Sequence, residues 1–143
     1  MHKILVKKLH KDAQIPKLAT EGSAGFDLHS MINCELKQGD IYMIPTGLAV
    51  AIPIGFEMQI RPRSGLAKLG IIVVNSPGTI DSDYRGEIKI LVTNLLPHIV
   101  YQITTGERIA QGVIQEVPSI YFEEVEELDV TERGAGGFGH TGK

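Results

Sequence analysis

Short apolar runs, each closed by glycine or proline, recur along this chain at close intervals, and they constrain its fold more than any other feature. The candidates are Ile4–Leu9, Ala24–Ser30, Ile41–Pro45, Leu48–Ile52, Phe56–Arg61, Ile71–Val74, Glu87–Val92, Ile99–Ile103, Arg108–Gln115 and Ile120–Val125. Several alternate with period two: Phe56, Met58 and Ile60 share one face, and Phe26 and Leu28 oppose Asp27 and His29. Many short strands separated by turn residues imply an all-β sandwich or barrel, with a jelly roll the first choice. No long amphipathic helix and no internal repeat competes with that reading. Ser64–Leu69 is the one helix expected, capped by Ser64 and ended by Gly70.

At 143 residues the chain supports one domain with a real core. It divides into a β core over 1–125 and a C-terminal arm over 126–143. The arm opens acidic at Glu126–Glu132 and ends in the glycine-rich run Arg133–Lys143, which is costly to order and therefore expected to be mobile until something binds. A net charge of -3 argues against general nucleic-acid binding, and no apolar run reaches membrane-spanning length. With Cys34 as the one cysteine and no signal-peptide core near the N-terminus, the expected location is the cytoplasm.

The stretch richest in chemistry is Gly78–Gly86, flanked by two strand-forming runs, which reads as a β-hairpin with a loaded tip. Asp81, Ser82 and Asp83 are also ordinary turn formers, so the tip alone reads equally as a decorated turn. A calcium loop is excluded, because Arg85 and Val92 occupy positions that would need oxygen ligands. Arg61–Ala67 places two arginines at a strand end before a helix start, where backbone N–H groups favour an anion; a solvated arginine pair fits as well. In the arm, backbone N–H groups between glycines suit an anion, Phe138 suits a flat ring and Arg133 suits phosphate. The histidines lack metal-ligand spacing.

Five stretches in order resemble the motifs of the homotrimeric dUTPase family: Ala24–Leu28, Arg61–Ala67, Asn75–Gly86, Gly106–Gln111 and Arg133–Gly142. The resemblance covers nearly the whole chain. Ala135 stands where that family often has an acidic residue, and His140 where it often has a small hydroxyl residue. The resemblance implies a jelly-roll-like fold and Mg²⁺-assisted hydrolysis of dUTP to dUMP and pyrophosphate. It implies Asp81 as general base for a water that attacks the α-phosphorus, and Asp27 as a metal contact through water. Arg63, Ser64, Gly65 and Gln111 would bind phosphates, with Arg133 and Thr141 closing over them. Asn75 and the Ile80–Tyr84 backbone would read uracil, Tyr84 would pack under the sugar and exclude a ribose 2′-hydroxyl, and Phe138 would stack on the base. The family further implies a homotrimer whose sites draw on three subunits. Two rivals share the fold: a dCTP deaminase, which would need a glutamate base where this chain carries Asp81–Tyr84, and a non-catalytic interaction module, which would be expected to lose Asp81 or the arm motif.

Overall fold

The computed structural model describes residues 2–138. Its strands in chain order are β1 (Leu5–Lys8), β2 (Gly25–His29), β3 (Cys34–Leu36), β4 (Ile41–Pro45), β5 (Leu48–Ala51) and β6 (Phe56–Arg61). A short helix, α1 (Ser64–Lys68), precedes β7 (Ile71–Val73), β8 (Gly78–Ile80), β9 (Lys89–Asn94), β10 (Tyr101–Ile103) and β11 (Arg108–Glu116). All pairings between these strands are antiparallel, in sheets ordered β2-β11-β6-β8, β4-β9-β7, β1-β5 and β10-β3. The fold is all-β and jelly-roll-like, as the spacing of the apolar runs predicts. No helix among the described residues is long and apolar enough to cross a membrane.

The inward faces of all these sheets meet in one core. Leu28, Leu36, Ile44, Ile90 and Ala110 are wholly buried, and Met58, Ile88, Val92 and Ile103 nearly so. Period two holds well in β6, where Met58 and Ile60 are buried. Its outward residues form a ladder: Gln59 Nε2 donates to Glu57 Oε1 at 2.7 Å, and Arg61 Nη2 donates to Gln59 Oε1 at 2.7 Å. Strand β11 breaks the alternation. Its pairing with β2 slips between Arg108 and Ala110, so Ile109 is an extra residue and both Ile109 and Ala110 turn inward. The bulge leaves Arg108 on the outer face, the same side as Asp27.

Three sequence expectations change. The runs flanking Gly78–Gly86 do pair, Ile71 opposite Asn94 and Val73 opposite Val92, but the chain between them is not a tight hairpin tip. It crosses to the other sheet, where β8 lies along β6 with Ile80 opposite Met58. Backbone groups on the open side of β6 are better satisfied by that strand than by water, and local pattern does not reveal it. Second, the residue capping α1 is Arg63, with no side-chain cap bond, so Ser64 is the first helical residue. Gly70 does end the helix, at φ +75°. Third, Ile120–Val125 forms no strand: Ile120 is 69% exposed and Phe122 95%.

Asn94 is a wholly buried polar side chain, and both of its polar atoms are bonded. Its Nδ2 donates to Leu36 O at 2.9 Å and Ile99 O at 2.7 Å, while its Oδ1 accepts from Leu96 N at 2.9 Å. It therefore ties β3 to the end of β9 and to the loop that follows. Asn94→Ala strands those three backbone groups, and urea denaturation is expected to show a loss of about 2–4 kcal/mol.

Candidate functional site

Two groups of polar residues lie at opposite ends of the four-stranded sheet. At the first, Asp27, Gln111 and Arg61 occupy one row across β2, β11 and β6. The Asp27 carboxylate is shared by two guanidinium groups: Arg63 Nε donates to Oδ1 at 2.8 Å and Arg108 Nη1 to Oδ2 at 3.3 Å. Arg63 Nη1 also donates to Arg108 O at 3.4 Å. Gln111 Nε2 donates to Pro62 O at 2.8 Å, holding the turn between β6 and α1. A Cβ at Gly25 would stand 2.6 Å from Gln111 Oε1, so glycine there is a space requirement. Gly65 differs: a Cβ would meet nothing within 4 Å, so no neighbour in the fold demands its bare backbone. Ser64 and Gly65 are both exposed at the start of α1.

A cavity of ≈ 600 Å³ adjoins this group, lined by Gln14, Lys17, Asp27 and His29 among others. His29 Nδ1 is buried with no hydrogen-bond partner. Burial lowers the imidazole pKa below its ordinary value; Asp27 opposes that shift, and Arg108 and Arg63 add to it. Among the described residues no group of three or more His, Cys, Asp or Glu is placed to hold a metal ion.

At the second group, Asn75, Ile80 and Tyr84 line a cavity of ≈ 380 Å³ with Met43, Glu87 and Leu91. The Tyr84 hydroxyl donates to Glu87 O at 3.0 Å, and the phenol lies over Gly86, where a Cβ would collide with it. Arg85 Nη1 donates to Ser82 O at 2.7 Å and Tyr84 O at 2.9 Å, bracing the turn. Asp81 O accepts from Tyr84 N at 3.2 Å. The Asp81 side chain is exposed and lines a different cavity, of ≈ 720 Å³, with Phe56, Glu57, Asp83 and Val117.

The sheet register measures the gap between the two groups. Asp27 is level with Arg61, whereas Asp81, following Ile80, is level with Glu57. At about 3.3 Å per residue and about 4.8 Å per strand, this is about 13 Å along the sheet and about 14 Å across it, or roughly 19 Å in all. Thus the chain gathers Asp27, Arg63 and Gln111 in one place, and Asn75, Ile80 and Tyr84 in another. Past Val117, whose N–H donates to Gly55 O at 2.8 Å, the tail bonds locally: Arg133 Nε donates to Gly136 O at 2.8 Å, and Phe138 is fully exposed. His140 and Thr141 lie outside the described residues. Sequence reading missed roles for Arg108, His29 and Glu87. A polar residue at or near a strand end is too common for its type to signal a contact made only on folding.

The tightness at Gly25 is testable. Gly25→Ala is expected to push Gln111 off Pro62 O and cost about 1–3 kcal/mol in thermal or urea unfolding. Adding Gln111→Ala should recover part of that loss by vacating the space.

The dUTPase family model matches residues 11–142. The chain is 53% identical to the deoxyuridine 5'-triphosphate nucleotidohydrolase of Fusobacterium nucleatum, with 100% of each chain covered. Its fold is similar to that of the Staphylococcus bacteriophage 80alpha dUTPase in complex with dUPNHPP, at TM-score 0.90 and 29% identity over 100% of both chains. It is also similar to a mutant dUTPase of phage phi11 of S. aureus, in which a structural Mg(II) ion is coordinated. That likeness has TM-score 0.80 and 25% identity, covering 90% of this chain and 99% of the other.

Proposed function

The chain belongs to the dUTPase family, and from that footing we propose that it hydrolyses dUTP to dUMP and pyrophosphate. The observation that carries the reading is the cavity of Asn75, Ile80 and Tyr84 directly beside the Asp81 turn, with an arginine-rich cluster at the far end of the same sheet.

The cavity of Asn75, Ile80 and Tyr84 suits a deoxyuridine. Backbone groups from Ile80 to Tyr84, with the Asn75 amide, offer donors and acceptors that uracil satisfies and cytosine does not; a site built this way rejects the mismatched base strongly. The Tyr84 ring, held by its hydroxyl bond, packs under the sugar and leaves no room for a 2′-hydroxyl. Asp81 accepts a proton from water as that water attacks the α-phosphorus in line, and pyrophosphate leaves. Its exposure in the open chain suits a base that must meet solvent water first.

The triphosphate falls to the arginine group around Asp27. Arg63 and the N–H groups of Ser64 and Gly65 bind phosphate oxygens, and the open space at Gly65 lets a ligand approach the backbone. Gln111 supports them by fixing Pro62. Asp27 is a part-exposed oxygen donor, which fits a Mg²⁺ ion held chiefly by phosphates and water, with Asp27 reached through water. Such an ion, when bound, neutralises charge on the phosphates. Arg133, Thr141 and Phe138 complete the site from the arm, Phe138 over the uracil and the other two over phosphate.

A gap of roughly 19 Å between Asp27 and Asp81 is too wide for one chain to serve one nucleotide. A homotrimer resolves this: one subunit supplies Asp27, Arg63 and Gln111, the next the Asp81 segment, and the third the arm. The exposed Ile120, Tyr121 and Phe122 then gain a covering surface. The single cysteine suits the reducing cytoplasm.

Pyrophosphate release from dUTP tests the activity directly. Asp81→Asn is expected to lower kcat by about 10²–10⁴-fold while dUTP still binds by calorimetry; unchanged turnover would remove Asp81 as the base. Cutting the chain after Val130 should leave the sedimentation behaviour of the assembly intact and sharply reduce kcat/KM, because the closing element is gone. Normal rates in the truncated protein would refute closure by the arm.

A further inference from the structure

Glu87 has no part in the chemistry described above, yet it occupies the place where the nucleoside cavity is fastened to the rigid core. Its Oε1 accepts from Gly47 N at 2.9 Å, a contact spanning distant parts of the chain. Gly47 is a fixed point. It is buried at φ +68°, and a Cβ there would lie 2.9 Å from Ala13 Cβ and 3.0 Å from Met31 Cγ. The next residue is docked on the same segment: Ile88 N donates to Leu48 O at 2.8 Å, and the buried Thr46 hydroxyl donates to Ile88 O at 2.7 Å. On the other side, the carbonyl of Glu87 is the acceptor for the Tyr84 hydroxyl at 3.0 Å.

These contacts form one continuous series: Gly47 N–H to the Glu87 carboxylate, Glu87 backbone to the Tyr84 hydroxyl, Tyr84 ring to the cavity. Tyr84 is 43% exposed, so packing alone does not hold it. Gly86 lets the phenol lie against the backbone but gives it no side chain to rest on. The hydroxyl bond therefore sets the ring's height above the cavity floor, and the Glu87 side chain, together with the Ile88 N–H on Leu48 O, sets the height of the acceptor. We propose that Glu87 is a positioning residue for sugar discrimination: by anchoring its own carbonyl to Gly47, it holds Tyr84 where a 2′-hydroxyl would collide. The inference rests on the dUTP reading of this cavity.

Glu87→Asp and Glu87→Gln separate geometry from charge. Aspartate keeps the charge but draws the acceptor back by about 1.5 Å, beyond reach of Gly47 N. Glutamine loses the charge but keeps an oxygen at the same distance. The measurement is kcat/KM for dUTP divided by kcat/KM for UTP, taken on full-length protein whose folding is checked by circular dichroism. Glu87→Asp is expected to lower that ratio by about tenfold to a hundredfold, since misplacement on the order of an ångström carries such a cost. Glu87→Gln should keep it near the wild-type value. Tyr84→Phe, which removes the hydroxyl donor, should lower it too, and Glu87→Asp in that background should add little, because both act through one bond. An unchanged ratio in Glu87→Asp overturns the inference, as does a double variant whose losses multiply. A wild-type protein inert toward dUTP would instead overturn the functional reading on which this rests.

Discussion

The pairing of Arg108–Glu116 with strands on both of its sides is the constraint from which the site follows. Because β11 lies between β2 and β6, Asp27, Gln111 and Arg61 fall into one row although they come from distant parts of the chain. The bulge at Ile109 then matters more than its size suggests. In a regular strand Ile109 would face outward and Arg108 inward. The extra residue buries Ile109 beside Ala110 and delivers the Arg108 guanidinium to Asp27. Two arginines around one carboxylate, all partly exposed, contribute little to stability by themselves. What they do is hold cationic side chains ordered at the edge of a cavity, an arrangement in which little rotamer freedom would be left to lose on contact with an anion.

The second group obeys a different logic. Its side chains sit on an excursion from one sheet to the other, and the excursion is stiffened at several points. β8 zips onto β6, Arg85 ties two turn carbonyls, and the Glu87–Ile88 backbone docks on Thr46–Leu48. Glycine serves close approach here, at Gly86 beneath the Tyr84 phenol and at Gly78, where a Cβ would lie 3.0 Å from Asn75 Nδ2. A cavity braced in this way can discriminate by shape. A loop with the same residues and no bracing would yield to the wrong ligand. The Asn75–Tyr84 end is thus braced within one chain, while the Asp81 carboxylate and the tail are exposed.

Much of the fold was legible in the residues because period-two alternation is a local consequence of the strand backbone. Phe56–Arg61 and Ala24–Ser30 declared which side faces inward without reference to any partner, and the structure agrees at Met58, Ile60 and Leu28. Gly70 was legible as a helix end for an equally local reason. Ser64 was misread as a cap because a serine before an apolar residue suits N-cap and first-turn positions alike, and only the backbone angles at Arg63 decide between them. Ile120–Val125 looked like a strand by composition. Composition records a tendency toward burial, and among the described residues no surface covers Ile120, Tyr121 or Phe122.

By itself the sequence determined the strand-and-turn alphabet, the all-β class, the order of the five motif stretches and the residue types available for chemistry. These depend on nearest-neighbour sterics and side-chain character, which travel with the residue. The tertiary structure alone decided that β8 joins β6 rather than closing a hairpin, that Arg108 meets Asp27, that Glu87 reaches Gly47, and that Asp27 and Asp81 stand at opposite ends of one sheet. Those outcomes depend on strand order and register. Both are set by the summed burial of the whole core, and a shift of one residue would turn every side chain to the other face.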